Sequence, residues 1–221
     1  MQVIDTKADA GLAFDGDGDR IIAVDEKGGV LTGDQLMVIF AKMLKKMGRL
    51  KGNIVVSTVM SNPGMRAAMK EYGVNYFCTD VGDRNVMEEL KLRGGVLGGE
   101  ESGHIIFLDT HTTGDGMIAA LNLLTAMKWS GKPLSFLSSL MKIYPQTMIN
   151  VPINRKPDIS REPVIVKAIK KVEEELGENG RVLVRYSGTE PVCRVMVEGS
   201  EPNAIEAHAR ELAETISSEL N

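Results

Sequence analysis

Three aspartates alternate with glycines in one short loop of the sequence. Residues 11–29 read GLAFDGDGDRIIAVDEKGG, so Asp15, Asp17 and Asp19 separate two apolar runs. Glycines relieve crowding and let the backbone bend, which allows three carboxylates to converge on one hard cation. Because the carboxylates would repel one another without a cation, the spacing predicts a metal site. Arg20 adds a permanent positive charge, which suits a site that receives phosphate.

The same loop superficially matches a calcium-binding EF-hand. Its three aspartates and Glu26 fall at the first, third, fifth and twelfth positions of such a loop. The match fails because the sixth position, which requires glycine, is Arg20, and because strands rather than helices are predicted on both sides. A polar turn between two strands is the simpler alternative, although such turns rarely stack three acids.

A second polar loop, GGEESGH, occupies residues 98–104 between two predicted strands. Glu100 and Ser102 would present acceptors and a donor that suit sugar hydroxyls. His104 could donate a hydrogen bond or act as an acid or base. The alternative is a glycine-rich hairpin with incidental polar residues.

A third loop, RYSGTEPVCR, runs from Arg185 to Arg194 between two further predicted strands. Its two guanidinium groups lie close in sequence to Ser187, Gly188 and Thr189. Guanidinium forks, hydroxyls and free amides together predict a phosphate-binding loop. The alternative is a surface hairpin with solvated arginines.

The segment MSNPG places Ser61 before an Asn-Pro pair. A helix that begins here explains these residues without chemistry, because asparagine is a favoured N-cap and proline a favoured first helical residue. We therefore predict a structural role for Ser61, with Asn62 as the cap and Pro63 in the first turn.

Strands and helices alternate through the first two thirds of the chain. In TGDQLMVIFAKMLKKMGR the apolar residues recur at three- and four-residue steps, which predicts a helix capped by Thr32 or Asp34. This βαβ rhythm predicts an α/β fold whose mixed sheet is covered by helices. Near residue 145 prolines interrupt the rhythm, and the remaining strands and helices predict a small α+β unit. We therefore predict three parts, at 1–32, 33–144 and 145–221.

Composition restricts the possible functions. The 221 residues are 43% hydrophobic and 25% charged, and their net charge is −4. Scattered basic residues and only 5% aromatic residues predict no nucleic-acid partner, and no apolar run is long enough for a membrane span. Cys78 and Cys193 lie in apolar segments without metal-ligand spacing, which predicts buried reduced thiols and a cytoplasmic protein.

The three loops, in this order and spacing, resemble those of the α-D-phosphohexomutases. The segments TVMSNPG, TDVGDR and HTTGDG resemble the bacterial phosphoglucosamine mutase branch. In that family four domains surround a cleft: the first carries a phosphoserine that donates phosphate, the second the metal loop, the third the sugar-binding loop and the fourth the phosphate-binding loop. The resemblance implies that residues 1–32 are a remnant of the second domain, with 33–144 the third and 145–221 the fourth.

The resemblance also implies residue roles. Asp15, Asp17 and Asp19 would hold Mg²⁺, and Arg20 would lie near the phosphoserine as a catalytic residue. The substrate would be bound by Glu100, Ser102 and His104. The phosphate that is not reacting would be held by Arg185, Ser187, Gly188, Thr189 and Arg194.

The family's phosphoserine motif, of the form Thr-Ala-Ser-His-Asn-Pro, should lie well upstream of the metal loop, yet only fourteen residues precede Asp15. We therefore expect the carboxy-terminal part of a mutase that interconverts glucosamine 6-phosphate and glucosamine 1-phosphate through a phosphoserine and a bisphosphate intermediate. Its partners would be the sugar phosphate and the missing amino-terminal domains, and the chain alone would be inactive. The alternatives are a phosphoglucomutase or phosphomannomutase fragment and a non-catalytic module that binds sugar phosphates.

Overall fold

The chain divides into two compact units. A computed structural model describes residues 2–188 and 190–221, with Asn179 described by its backbone alone. The first unit ends at Lys142 and the second runs from Ile143 to Asn221. Each unit has its own apolar core, so each is described by itself.

The first unit contains most of the regular structure. In chain order its elements are α1 (Gln2–Thr6), β1 (Ala10–Phe14), β2 (Ile21–Asp25), β3 (Val30–Leu31), α2 (Gly33–Lys46), β4 (Ile54–Thr58), α3 (Pro63–Glu71), β5 (Asn75–Thr79), α4 (Asp83–Arg93), β6 (Leu97–Gly99), β7 (Ile105–Phe107), α5 (Gly116–Ser130) and α6 (Leu134–Ser138).

Two sheets organise the first unit. The strands β5, β4, β6 and β7 form a mixed sheet in that order, with β5, β4 and β6 parallel and β7 antiparallel to β6. Carboxyl ends of parallel strands meet at one edge of a sheet, and ligands bind at such edges. The loops after β4, β5 and β6 therefore emerge together. The other sheet is an antiparallel set of β1, β2 and β3.

The amino-terminal sheet packs on the helices of the same unit. Along β2, Ile21 and Ala23 are buried while Ile22 is half exposed, as expected for a strand with one covered face. Ile21, Ala23 and Leu31 share one core cluster with Phe40 of α2. An isolated two-stranded hairpin is marginal in water, and this packing explains how residues 10–31 remain folded.

A side-chain contact also ties this sheet to α6. The carboxylate of Glu26 accepts a hydrogen bond from the Ser135 amide at 3.1 Å and another from the Ser135 hydroxyl. The hydroxyl contact is the main reason that the pKa of Glu26 is lowered.

Two predicted helix starts are confirmed. Thr32 caps α2, because its hydroxyl accepts the Gln35 amide at 3.3 Å while the Gln35 side chain accepts the Thr32 amide at 3.1 Å. The other candidate cap, Asp34, instead accepts the Asn62 amide at 2.7 Å. Asn62 in turn caps α3, and Pro63 is its first residue.

The second unit is a three-stranded antiparallel sheet with helices on one face. Its elements are β8 (Gln146–Pro152), α7 (Pro163–Leu176), β9 (Gly180–Tyr186), β10 (Val192–Gly199) and α8 (Pro202–Leu220), and the strand order is β8, β10, β9. One face, which includes Val151, Cys193 and Val195, packs into the core with both helices. The opposite face carries the polar residues of β9 and β10.

The architecture confirms the predicted α/β fold, with three local differences. The sequence did not indicate α1, and it placed Val30 and Leu31 in one strand that turns at Gly28–Gly29, whereas the structure has them as the separate strand β3. The amphipathic pattern predicts a helix from about residue 159 to 176, but α7 begins at Pro163, after a short 3₁₀ turn, because proline fits the first turn of a helix. The prediction that both thiols are buried was wrong for Cys78, which is exposed on β5, although Cys193 is buried and both are free. Among the described residues, no helix is long and apolar enough to cross a membrane.

Candidate active site

The three aspartates converge at the turn between β1 and β2. One oxygen from each of Asp15, Asp17 and Asp19 lies within 4.8 Å of the others. Asp17 is exposed and the other two are half buried. The Oδ1 atom of Asp19 is buried and has no hydrogen-bond partner among the described residues. Three carboxylates whose oxygens lie this close together form a donor set that fits a hard divalent cation.

Arg20 lies against two of these carboxylates. Its Nε atom is 2.5 Å from Asp15 Oδ2 and 3.4 Å from Asp19 Oδ1, and its backbone amide donates to Asp15 Oδ1 at 3.2 Å. Partial desolvation raises the pKa of Asp15, but the Arg20 hydrogen bonds outweigh it, so this pKa is lowered overall. The hydrogen bond to Asp15 also raises the pKa of Arg20. Asp15 is therefore held ionised, as a metal ligand must be.

The aspartate loop, residues 15–20, is fixed to the loop at residues 98–104. The Ile21 amide donates to the Gly103 carbonyl at 3.2 Å. Gly103 has a φ of +91°, and a side chain there would collide with the Ile21 carbonyl, so this close approach requires glycine. On its other side the aspartate loop meets the start of α5, where the Gly116 amide donates to the Gly18 carbonyl at 2.9 Å.

His104 lies behind the aspartate loop. Its side chain is only 5% exposed, and its Nε2 atom is 3.5 Å from Asp19 Oδ2. The backbone of Gly114 packs against the imidazole so closely that a side chain at Gly114 would overlap the ring. His104 therefore faces Asp19, which is a predicted metal ligand. A role of His104 in binding substrate stays a prediction.

Glu100 stands at the carboxyl edge of the mixed sheet, directly after β6. The Gly82 amide, which precedes the first turn of α4, donates to Glu100 Oε1 at 2.9 Å. The described residues give Oε2 no hydrogen-bond partner, so this oxygen is available to a ligand. Ser102, two residues further, is exposed. Both side chains can therefore reach a molecule placed over this edge.

Ser61 is built into the entry of α3. It is 7% exposed, and its hydroxyl contacts the hydroxyl of Ser57, which also lies 3.1 Å from the Tyr76 hydroxyl. Burial is the main cause of the raised pKa of Tyr76. These contacts agree with a structural role.

In the second unit, cationic side chains occupy the open face of the sheet. Arg194 on β10 pairs across the strands with Arg185 on β9 and with Asn150 on β8, so the three residues form one row. Arg194 Nη2 is 3.4 Å from a carboxylate oxygen of Glu190, and its Nε atom is buried with no hydrogen-bond partner among the described residues. A buried unpaired N–H is costly, and an anion would satisfy it.

The loop between β9 and β10 is held by its own polar groups. Ser187 is 3% exposed; its amide donates to the Val192 carbonyl at 2.9 Å and its hydroxyl accepts the Glu190 amide at 3.3 Å. Gly188 is exposed, with open space where a side chain would be. The predicted ligand Thr189 lies outside the described residues.

Two residues that contact or adjoin the predicted site residues were not identified from the sequence. The Gly82 amide orients Glu100, and Asn150 extends the arginine row. A Gly before a predicted helix is a recognisable amide donor, so Gly82 carried a usable signal. Asn150 carried none, because strand register is not visible in a single sequence.

Family models match both units. The model described as phosphoglucomutase/phosphomannomutase, alpha/beta/alpha domain III, matches residues 32–144, and the model of the C-terminal domain of the same family matches residues 148–215.

Curated relatives match this chain over about half of their own length. The chain is 55% identical over 215 residues to a phosphoglucosamine mutase of Syntrophobacter fumaroxidans, covering 97% of the chain and 48% of the relative. It is 53% identical over 213 residues to a phosphoglucosamine mutase of Geobacillus kaustophilus, covering 96% and 47%. The chain thus spans about half the length of the curated relatives it matches.

Solved structures share the fold. A phosphoglucomutase/phosphomannomutase family protein from Burkholderia thailandensis matches with a TM-score of 0.72 at 23% identity, covering 100% of this chain and 49% of that one. Aspergillus fumigatus N-acetylphosphoglucosamine mutase, solved in complex with GlcNAc-6P and magnesium, matches with a TM-score of 0.70 at 20% identity, covering 93% and 51%. At these identities the likeness establishes the fold alone.

Proposed function

The chain belongs to the phosphoglucomutase/phosphomannomutase family, and we propose that it forms the metal-, sugar- and phosphate-binding part of a phosphoglucosamine mutase. The whole enzyme would interconvert glucosamine 6-phosphate and glucosamine 1-phosphate. The observation that carries this proposal is an identity of 55% to a phosphoglucosamine mutase across 97% of the chain. The converging aspartates support it independently, because phosphoryl transfer depends on offsetting negative charge.

The metal loop would hold Mg²⁺ through Asp15, Asp17 and Asp19, whose oxygens are close enough to share one ion. The bound ion would supply charge that offsets the phosphoryl oxygens. Arg20 already lies within hydrogen-bonding distance of Asp15, and half of its side chain is exposed. It can therefore turn a guanidinium N–H toward a phosphate while keeping the loop neutralised.

The other two loops would bind the substrate. Glu100, oriented by the Gly82 amide, and the exposed Ser102 would hydrogen-bond sugar hydroxyls. In the second unit the arginine row and the Ser187–Gly188 turn would hold the phosphate that does not react. These assignments concern binding and orientation.

We also propose that the chain matches three of the family's domains, divided near residues 32 and 144. The family-model matches, 32–144 and 148–215, support these divisions. The covalent step would need a phosphoserine, and the 221 residues contain no Thr-Ala-Ser-His-Asn-Pro segment. A polypeptide of these residues would therefore bind sugar phosphate without turning it over. Its two free cysteines support a cytoplasmic location.

Binding of sugar phosphates tests the proposal. Glucosamine 6-phosphate, glucose 6-phosphate and mannose 6-phosphate would each be titrated into the protein with Mg²⁺ while backbone amide shifts are followed. We expect the glucosamine ester to bind most tightly and to shift amides of the 98–104 loop, whereas inorganic phosphate should shift amides of the 185–194 loop. Glu100→Gln should weaken binding, whereas the matched control Glu71→Gln, which changes an exposed carboxylate outside the site, should not.

Three results would decide against it. Tighter binding of the glucose or mannose ester would favour a phosphoglucomutase or phosphomannomutase. Absence of any shift in either loop would contradict the site. Equal effects of the two glutamate variants would remove Glu100 from the site.

A further inference from the structure

We infer that Lys156 is a third cationic residue of the anion site in the second unit, where it both holds the phosphate loop and adds charge to it. This inference rests on the proposed function of residues 185–194. Lys156 lies outside that loop, in the connection that follows β8.

The ammonium group of Lys156 bridges the two ends of the turn. Its Nζ atom donates to the Ser187 carbonyl at 2.8 Å and to the Glu190 carbonyl at 3.0 Å. These carbonyls flank the exposed Gly188. Because both carbonyls point at the lysine, the turn cannot direct them toward a bound anion, which they would repel.

The connection that carries Lys156 is itself fixed. The Ile153 amide donates to the Pro191 carbonyl at 3.0 Å, and the Asn154 amide donates to the Leu220 carbonyl at the end of α8 at 3.1 Å. The lysine therefore reaches the loop from a backbone that is anchored on both the loop and the last helix. A donor held in this way loses little freedom when a ligand binds.

The charge of Lys156 is not neutralised by a neighbour. An ammonium has three N–H donors, and two of them serve the carbonyls. Among the described residues no carboxylate lies within ion-pair distance of Nζ, so the full charge and the third donor remain. Together with Arg185 and Arg194, Lys156 gives this end of the sheet three cations.

Calorimetric titration of inorganic phosphate into the full chain tests the inference. Lys156→Met removes the ammonium but keeps the aliphatic stem, and Lys156→Arg keeps the charge. Lys170→Met is the matched control, because Lys170 is exposed on α7, across the sheet from the open face. We expect about a tenfold loss of phosphate affinity in Lys156→Met, since a charge-assisted contact is lost. Lys156→Arg should stay within about threefold of the unaltered chain, and the control should be unchanged.

The outcomes separate this inference from the function on which it rests. If the unaltered chain does not bind phosphate, residues 185–194 are not a phosphate-binding loop, and the inference about Lys156 is contradicted as well. If the unaltered chain binds phosphate and Lys156→Met binds equally well, only the role of Lys156 is overturned. Should Lys156→Met fail to fold, Lys156→Arg decides: retained affinity supports a role for the charge, and affinity lost in a folded protein contradicts it.

Discussion

Arg185 and Arg194 lie directly opposite each other on the adjacent antiparallel strands β9 and β10. Like charges at directly opposed positions destabilise a sheet, because their side chains share one face at close range. A carboxylate oxygen of Glu190 lies 3.4 Å from Arg194 Nη2, but the Nε atom of Arg194 is buried without a hydrogen-bond partner among the described residues. An anion between the two guanidinium groups would remove both costs, which is the physical basis of the proposed phosphate site.

Replacing Arg194 with alanine should weaken phosphate binding by about 10- to 100-fold, since a charge-assisted hydrogen bond contributes ~1.5–3 kcal/mol. Without phosphate the melting temperature should change little, because the variant loses one of two opposed charges and also the 3.4 Å ion pair with Glu190. Amide-resolved NMR titration and thermal unfolding measure these effects. Arg210→Ala, on an exposed helical ion pair, is the control. Phosphate-induced shifts confined to residues outside 185–194 would contradict the site.

Replacing Asp17 with asparagine should lower Mg²⁺ affinity by about tenfold, because one of three anionic oxygen ligands becomes neutral. Binding to the unaltered chain should already be weak, since no phosphoserine oxygen completes the site. Isothermal calorimetry measures both affinities, with Asp9→Asn as a control on an exposed acid outside the loop. Tight binding by the unaltered chain, or equal binding by Asp17→Asn, would count against the metal assignment.

The 221-residue polypeptide should show no mutase turnover, even with Mg²⁺ and glucose- or glucosamine-1,6-bisphosphate supplied. Phosphoryl exchange needs a positioned nucleophile, and Ser61 is buried in contact with Ser57 at the entry of α3. A coupled assay on rigorously purified protein, run beside Ser61→Ala, provides the measurement. Turnover that survives purification and disappears in Ser61→Ala would overturn the structural role given to this serine.

Replacing Ser135 with alanine should destabilise the first unit by about 1 kcal/mol near neutral pH, because the Glu26 carboxylate loses a hydrogen bond. The pKa of Glu26 is lowered in the folded protein, so its stabilising effect is present above its ordinary value of 4.5 and is lost as the pH falls through the lower folded pKa. The difference between variant and parent should therefore shrink in acid.

Urea unfolding at about pH 7 and about pH 3.5 would measure this dependence. Ser139→Ala provides the control, because among the described residues its hydroxyl bonds only to the Phe136 carbonyl one turn away. A difference that is equal at both pH values would show that Glu26 does not act through its charge.

The sequence by itself determined which polar residues the loops carry and the order of most of the elements. Alternating acids and glycines require a cation or a strained loop, and the pair Asn62–Pro63 predicts a helix start that the structure confirms. Apolar periodicity located most of the helices and strands. These features are local, since they depend on backbone preferences and on neighbours within a few residues.

Only the tertiary structure decided how the side chains are used. In the folded chain His104 is buried beside Asp19, Cys78 is exposed, and Arg185 lies opposite Arg194. The hydroxyl of Thr32, rather than the side chain of Asp34, caps α2. The physical reason is that burial and strand register depend on contacts between residues far apart in the chain, and a one-residue shift in register would place Arg194 on the other face of its sheet.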